Sequence, residues 1–309
     1  MTRSLADLRP SVRTIRPKIS VVVPTYNEAR NLPHVFAELP ADLHEVIVVD
    51  GHSLDGTVEA ARTLRPDVRI VLQNRRGKGN AMACGFSAVT GDVVVMLDAD
   101  GSADPHEIPS YVAALVAGAD FAKGTRFAEG GGTDDITRTR AWGNRCLNRI
   151  ANLLFGTHYT DLCYGYNAFW TDCLPALELV ADGPVGDEKL WGDGFEIETL
   201  INTRIAKAGL RITEVPSFER PRIHGESNLN TWRDGGRVLW ALLVERVNGK
   251  SVNGRGRGPG RRGVRGRRTD AFRGSAVRLG DPVVDLPAPR TPADDATVVR
   301  PGVTEARTA

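Results

Sequence analysis

Short apolar runs rich in β-branched residues recur along the first part of the chain, and each breaks off on polar residues. They are ISVVV (19–23), EVIVVD (45–50), VRIVL (68–72), DVVVML (92–97) and DFAKG (120–124). Runs of this length and composition read as buried strands. Between them, 28–39, 57–64 and 105–118 have helical spacing. Strand alternating with helix predicts an α/β fold with a mostly parallel central sheet flanked by helices. Ligands of such sheets bind outside the carboxyl ends of the strands. The polar residues collect there, in PTYNE (24–28), DGHSLDGT (50–57), NRRGKGNA (74–81) and DADGS (98–102).

From about residue 140 the text becomes helix-rich with strand pieces, including a well-marked helix over 195–208 and a strand over 211–215. After residue 248 it is Gly, Arg and Pro. That segment holds 13 Lys/Arg against 6 Asp/Glu, whereas the preceding body has 27 against 32. With so little to bury, 249–309 is expected to be disordered. The organisation that follows is a flexible leader over 1–17, one domain over 18–248 with halves 18–125 and 126–248, and a basic tail. The four cysteines form no C-x-x-C pair and no zinc spacing, which argues against a metal knuckle or a disulfide framework. No apolar h-region and no stretch of about 18 apolar residues is present, so a cytoplasmic protein without its own membrane anchor is expected.

Two carboxylates, Asp98 and Asp100, end the fourth apolar run with only Ala99 between them. A lone D-x-D is an ordinary way to leave a strand. Here Asp50 and Asp55 share the same rim, and four acids converging there need a cation or hydrogen-bond donors. Mg²⁺ or Mn²⁺ suits such a site, because each takes oxygen ligands shared between carboxylates and substrate phosphates. NRRGKGNA adds Arg75, Arg76 and Lys78, with Gly77 and Gly79 letting backbone approach a phosphate. There is no Walker A motif. The combination points to a metal-held nucleotide diphosphate.

The ordered segments VVVPTYNEARNL, VIVVDGHSLDGT, GKGNAMACGF, GDVVVMLDADGSADP and KGTRF resemble family 2 glycosyltransferases of the GT-A fold. GFEIETLINTRIAKAGLRITEVP and RPRIHGESNL are similar to the branch of polyprenyl-phosphate (dolichyl-phosphate) mannosyl- and glucosyltransferases, and the resemblance covers about 18–248. It implies a donor site lined by Pro24, Tyr26, Glu28, Asp50, Lys78, Gly79 and Asp98. Asp98 and Asp100 would be the metal signature, Asp100 the more direct ligand, with Ser102 as a further polar contact. Gly51 and His52 stand where many members carry a second Asp and a polar residue, which leaves the base open between uracil and guanine. Arg126 matches the family's Gly-Ser-Arg, and Arg140 lies where the branch holds an acceptor-phosphate arginine. Arg222, His224 and Ser227 fall in a loop that closes over the diphosphate.

WGDGFEIET adds the acids Asp193, Glu196 and Glu198. Asp193 is a candidate base or a helix cap. Asp98, Asp100, Arg126, Asp193 and Glu196 are therefore the candidate catalytic residues. The expected activity is inverting transfer of a hexose from a UDP- or GDP-sugar, most simply to polyprenyl phosphate, in cell-envelope glycan synthesis. A lipid phosphate needs no base, because its oxygen is already anionic. A hydroxyl acceptor on a glycan or metabolite is the alternative. A non-catalytic protein binding nucleic acid or a membrane surface through its tail is a second one. The tail has only Phe272 for base stacking, so no specific nucleic acid is expected. An anionic membrane surface fits the basic tail and the apolar stretch Val238 to Val244, as a peripheral contact at the inner face of the cell membrane.

Overall fold

The computed structural model describes residues 13–134, 136–182, 190–225 and 231–248. Seven strands form one sheet: β1 (Ile19–Thr25), β2 (Glu45–Asp50), β3 (Arg69–Leu72), β4 (Val93–Met96), β5 (Phe121–Thr125), β7 (Asn167–Trp170) and β8 (Ile212–Pro216), in the order β3-β2-β1-β4-β7-β5-β8. Two short strands, β6 (Gly132–Thr133) and β9 (Phe218–Glu219), pair separately. Every pairing in the large sheet is parallel except that β7 runs antiparallel to both β4 and β5. The mostly parallel sheet expected from the alternation is therefore present, with β7 as the one reversed strand.

The central strands are apolar throughout because both faces are covered. Val21 to Val23, Val46 to Val49 and Val93 to Val95 are completely buried. Each such side chain contributes roughly 1.5–3 kcal/mol relative to exposure, so these strands are the main source of stability. The helices are α1 (Leu32–Ala37), α2 (Thr57–Leu64), α3 (Lys78–Ala88), α4 (Ile108–Val116), α5 (Arg138–Phe155), α6 (Leu174–Leu177), α7 (Ile197–Lys207) and α8 (Thr231–Asn248). The helix expected over 28–39 begins only at Leu32, after a turn in which the carbonyl of Glu28 accepts from the amides of Asn31 and Leu32. α5 and α8 pack together through a small second core of Ala151, Tyr159, Leu162 and Leu242.

Of the leader expected to be flexible, residues 13–17 are described, and Arg13 is held. Its guanidinium donates to Ala119 O (3.1 Å) and Asp120 Oδ1 (2.6 Å), reaches Asp172 Oδ1 at 3.2 Å and lies over the Trp170 ring. The tail over 249–309 and Ser227 lie outside the described residues. No helix among the described residues is long and apolar enough to cross a membrane.

Glu45 pins the amino edge of the sheet. Its carboxylate accepts from Ser20 Oγ (2.6 Å), Thr90 N (2.7 Å) and Thr90 Oγ1 (2.9 Å) and pairs with Arg69. Burial alone would push this group up, but the donors, led by Ser20, hold it down at about 2. A carboxylate depressed in the folded state stabilises above its unfolded value and loses that contribution as pH falls through the folded value. Glu45→Gln should therefore destabilise the chain at neutral pH by about 1–3 kcal/mol, the scale of hydrogen bonds to a charged group. Urea unfolding should show the gap to the native chain closing between pH 4.5 and about 2.

Candidate active site

The carboxyl ends of β1 and β2 supply the first wall. Pro24 and Thr25 end β1 opposite Val49 and Asp50. Tyr26 is 64% exposed and faces solvent beside the turn that follows β2. Asp50 is buried; its carboxylate accepts from Ser53 N (2.9 Å) and from Thr25 Oγ1, so it braces its own turn. Asp55 fastens the two loops together, accepting from Ala29 N (3.0 Å), Thr57 N (3.1 Å) and Thr57 Oγ1 (2.5 Å). Burial would raise its pKa, but these donors outweigh it and lower it. His52 Nε2 lies 2.9 Å from Gln73 O.

Lys78 opens α3 and reaches across the mouth of β4. Its ammonium is 2.8 Å from Asp98 Oδ1 and 2.7 Å from Glu198 Oε1. Burial would lower its pKa, yet the two carboxylates more than compensate and keep the ammonium charged above its ordinary range. Asp100 is matched likewise: Oδ1 accepts from Ser102 N (2.9 Å) and Oδ2 from Arg222 Nη2 (2.8 Å). Glu28 completes the group, with Arg222 3.9 Å from Oε1 and Asn31 Nδ2 donating at 2.5 Å. Its pKa is raised, first by burial and then by Asp100. The segment carrying Arg222 crosses the site, because Ile223 N donates to Asp100 O and Arg220 N to Ser102 O. His224 accepts from Asn31 through its carbonyl, and its ring lies 5.8 Å from that of His34.

The NRRGKGNA loop is built differently from the expectation. Arg75, read as a phosphate donor, is buried and pairs with Asp193 through Nε (2.8 Å) and Nη2 (3.1 Å). Gly77 and Gly79 make room for protein backbone: a Cβ on Gly77 would stand 2.0 Å from Asp193 O, and one on Gly79 would stand 1.7 Å from Gly192 O. Gly79 N donates to Asp193 O (2.9 Å). Asp193, expected as base or cap, is thus tied down through both carboxylate oxygens, and its Oδ2 also accepts from Leu190 N. Glu196 is half-buried and accepts from Gly194 N at 3.2 Å, within its own turn.

Arg126 is similarly committed. Nε and Nη2 donate to Asp161 (2.7 and 2.9 Å), and Nη1 donates to Glu219 (2.8 Å). Burial opposes its charge, but these partners raise its pKa. Asn144 of α5 also donates to Asp161 (2.9 Å), and Arg140 stands on the first turn of that helix. Lys123, fully buried on β5, donates to Gly124 O (2.8 Å) and Tyr164 O (2.7 Å). Burial pushes it down to about 8, with Asp161 partly offsetting.

The site that emerges is acidic and already carries cations. Asp98 and Asp100 keep oxygen atoms at the mouth of the sheet with a Lys ammonium and an Arg guanidinium upon them, a donor set that fits a hard divalent ion. Ser102 contributes its amide to Asp100. Among the described residues the one group of three metal-ligating side chains that converge is Glu38, Asp104 and His106, and Arg220 already pairs with the first two. Two protein carboxylates alone make an incomplete shell, which substrate oxygens would finish. Glu198 and Asp161 became site residues only in three dimensions. The helical spacing gave Glu198 no mark to set it above Glu196.

Residues 20–175 match the family model for glycosyl transferase family 2. Glycosyltransferase AglJ of Haloferax volcanii is 32% identical over 227 residues, covering 72% of this chain and 70% of the relative. Undecaprenyl-phosphate mannosyltransferase of Micrococcus luteus is 34% identical over 225 residues, 69% of this chain and 88% of the relative. Among solved structures, glucosyl-3-phosphoglycerate synthase from Mycobacterium tuberculosis, in complex with Mn²⁺, uridine diphosphate and glucosyl-3-phosphoglycerate, has a TM-score of 0.58 at 23% identity, covering 77% of this chain and 86% of that one.

Two outcomes separate the roles of these ion pairs. Asp193→Ala strands a buried guanidinium and should cost about 3–5 kcal/mol in unfolding experiments, with activity lost through the fold. Lys78→Met should leave the fold standing but remove the charge that neutralises Asp98 and Glu198. Mn²⁺ should then bind the donor-free protein several-fold more tightly, read as loss of the free-ion signal in electron paramagnetic resonance. Unchanged Mn²⁺ affinity would show that the ammonium does not compete for the carboxylates.

Proposed function

The chain belongs to glycosyl transferase family 2 and has the GT-A fold, and we propose that it moves a hexose, with inversion, from a UDP- or GDP-linked donor to polyprenyl phosphate. One observation carries the reading of the acceptor: every carboxylate brought to the site already holds a donor. Asp193 has Arg75, Glu198 has Lys78, Glu196 has its own turn and Asp161 has Arg126. Among the described residues no carboxylate at the site stands without a donor, which favours an acceptor that needs no base, and a phosphate acceptor needs none. The printed name of the Micrococcus luteus relative supports the same acceptor.

Asp98 and Asp100 would hold Mg²⁺ or Mn²⁺, which would neutralise charge on the departing diphosphate. The Mn²⁺ and uridine diphosphate in the Mycobacterium tuberculosis structure support that choice of partners. Pro24, Tyr26 and Asp50 form the wall for the nucleoside. Lys78 and Arg222 are within reach of phosphate oxygens once Asp98 and Asp100 are otherwise engaged. Their charges then stabilise the leaving group electrostatically. Arg126, locked between Asp161 and Glu219, acts as a fixed positive wall, and Arg140 at the start of α5 is the candidate acceptor contact. A polyprenyl acceptor resides in a bilayer, so the enzyme would work as a peripheral protein at the cytoplasmic membrane surface.

Incubation with labelled UDP- and GDP-hexoses, with and without polyprenyl phosphate, tests this. A labelled lipid should form with one donor, depend on a divalent ion and disappear on chelation. Asp100→Ala should reduce transfer at least ~10²-fold, the scale of losing an electrostatic stabiliser. Glu196→Gln should stay within about tenfold, whereas removing a working base costs ~10²–10⁴-fold. Transfer to a hydroxyl acceptor in place of the lipid phosphate would replace the reading.

A further inference from the structure

α5 has three distinct sides. On one, Asn144, Asn148 and Asn152 stand four residues apart and clamp the loop before β7. Asn144 holds Asp161, Asn148 donates to Thr160 O and accepts from Leu162 N (2.8 Å), and Asn152 bonds both Tyr159 O (2.9 Å) and Tyr159 N (2.8 Å). A second side, Ala151 with Leu147, Ile150 and Leu154, packs on α8 through Leu242 and Val238. The third side carries Trp142, Arg145, Arg149 and Leu153, at steps of three, four and four, all exposed; Trp142 is 63% and Leu153 86% exposed.

α8 repeats the arrangement. Ala241, Leu242 and Glu245 face inward, the last pairing with Arg204 (3.0 Å) and Lys207 (2.7 Å) of α7, while Trp240 and Leu243 stay exposed. Two packed helices thus turn tryptophan and leucine outward. Among the described residues no ion pair engages Arg145 or Arg149. What marks these exposed side chains is their grouping on two packed helices, since single exposed apolar residues are ordinary. A protein partner would have to supply acceptors for two guanidinium groups set between Trp142 and Leu153, neither of which has an ion-pair partner among the described residues. A layer of anionic headgroups meets every requirement at once, because phosphates accept from guanidinium groups, tryptophan settles at the interface and leucine enters the acyl boundary.

We propose that the outer faces of α5 and α8 form a docking surface for an anionic lipid bilayer, with Arg145 and Arg149 on lipid phosphates and Trp142, Leu153, Trp240 and Leu243 at the headgroup boundary. The inference rests on the lipid-phosphate reading above and gives it an orientation. The inner row of the same helix grips Asp161, which holds Arg126 at the end of β5, so the docking helix is tied by side-chain contacts to the acceptor side of the site. The sequence adds to the charge beyond Asn248, with nine Lys/Arg and one Asp between 249 and 273.

Sedimentation of the full chain with phosphatidylglycerol/phosphatidylcholine vesicles, against phosphatidylcholine alone, tests the surface. The native chain should bind the anionic vesicles. Arg145→Glu with Arg149→Glu should weaken binding at least tenfold, and Trp240→Ser several-fold even at high salt. Binding by both variants within twofold of the native chain overturns the surface, as does no binding by the native chain. So does conversion of a dimer to a monomer by these substitutions in light scattering, which would make the face a contact between copies. Transfer to a short-chain prenyl phosphate in solution, without vesicles, is measured in parallel. Both variants should keep it within twofold of the native rate, whereas its absence in the native chain overturns the acceptor reading and leaves the vesicle result to be judged by itself.

Discussion

The buried ion pair of Arg75 and Asp193 is the joint on which the site depends. Arg75 belongs to the loop after β3 and Asp193 to the turn before α7, 118 residues apart in sequence. Two guanidinium nitrogens engage the two carboxylate oxygens, and Arg75 Nη2 also donates to Val180 O (2.6 Å). Both charges are desolvated, so the pair is costly to break and weak as a source of net stability. Its value is geometric. It presses the backbone of 192–193 onto Gly77 and Gly79 so closely that no side chain fits there. That contact sets Lys78, one residue on, at the mouth of β4, and sets Glu198, on the first turn of α7, to meet it.

From this joint the electrostatics of the rim follow. A parallel sheet directs its loops to one edge, and here that edge gathers Glu28, Asp50, Asp55, Asp98 and Asp100. Unscreened, they would raise each other's pKa values and resist folding. The fold answers in two ways. Acids of the first wall, Asp50 and Asp55, are satisfied by amides and hydroxyls of their own turns. Asp98 and Asp100, at the mouth of β4, are satisfied by an ammonium and a guanidinium from other elements. The first kind of neutralisation is permanent and shapes the pocket. The second, in the proposed reading, would be exchanged when a donor binds.

The same distinction explains what was legible in the sequence. The strands of the first half were readable because a strand buried on both faces must be a continuous apolar run, and the rim residues followed from where those runs stop. α2 fell on the residues its spacing indicated. β7 was not readable as a reversed strand, since NAFW is too short to carry a direction and its antiparallel pairing is set by β4 and β5 on either side. Arg75 and Lys78 look alike in NRRGKGNA, yet one is sealed against Asp193 and the other reaches the site. Only a partner more than a hundred residues away separates them. Arg126 and Asp193 stand beside motifs and so invite a chemical reading, and each is also held in an ion pair that the local sequence does not show.

Lys78 and Arg222 also bear on selectivity. A carboxylate pair left bare would bind any hard cation, and a carboxylate sealed by amides would bind none. With an ammonium and a guanidinium already in place, a bare divalent ion must displace both and strand their charges beside its own. An ion arriving with a diphosphate brings the displaced groups new partners, because phosphate oxygens accept from Lys and Arg as readily as carboxylates do. Such an exchange would conserve the number of charge-assisted contacts, and the unfavourable term would disappear for the complete donor alone. Glu198 would keep the ammonium in place if Asp98 were taken up by such an ion, since its carboxylate lies 2.7 Å from it. Under the proposed reading, the arrangement would discriminate against the metal by itself through stranded charge, a repulsive device that would be relieved by the complete donor.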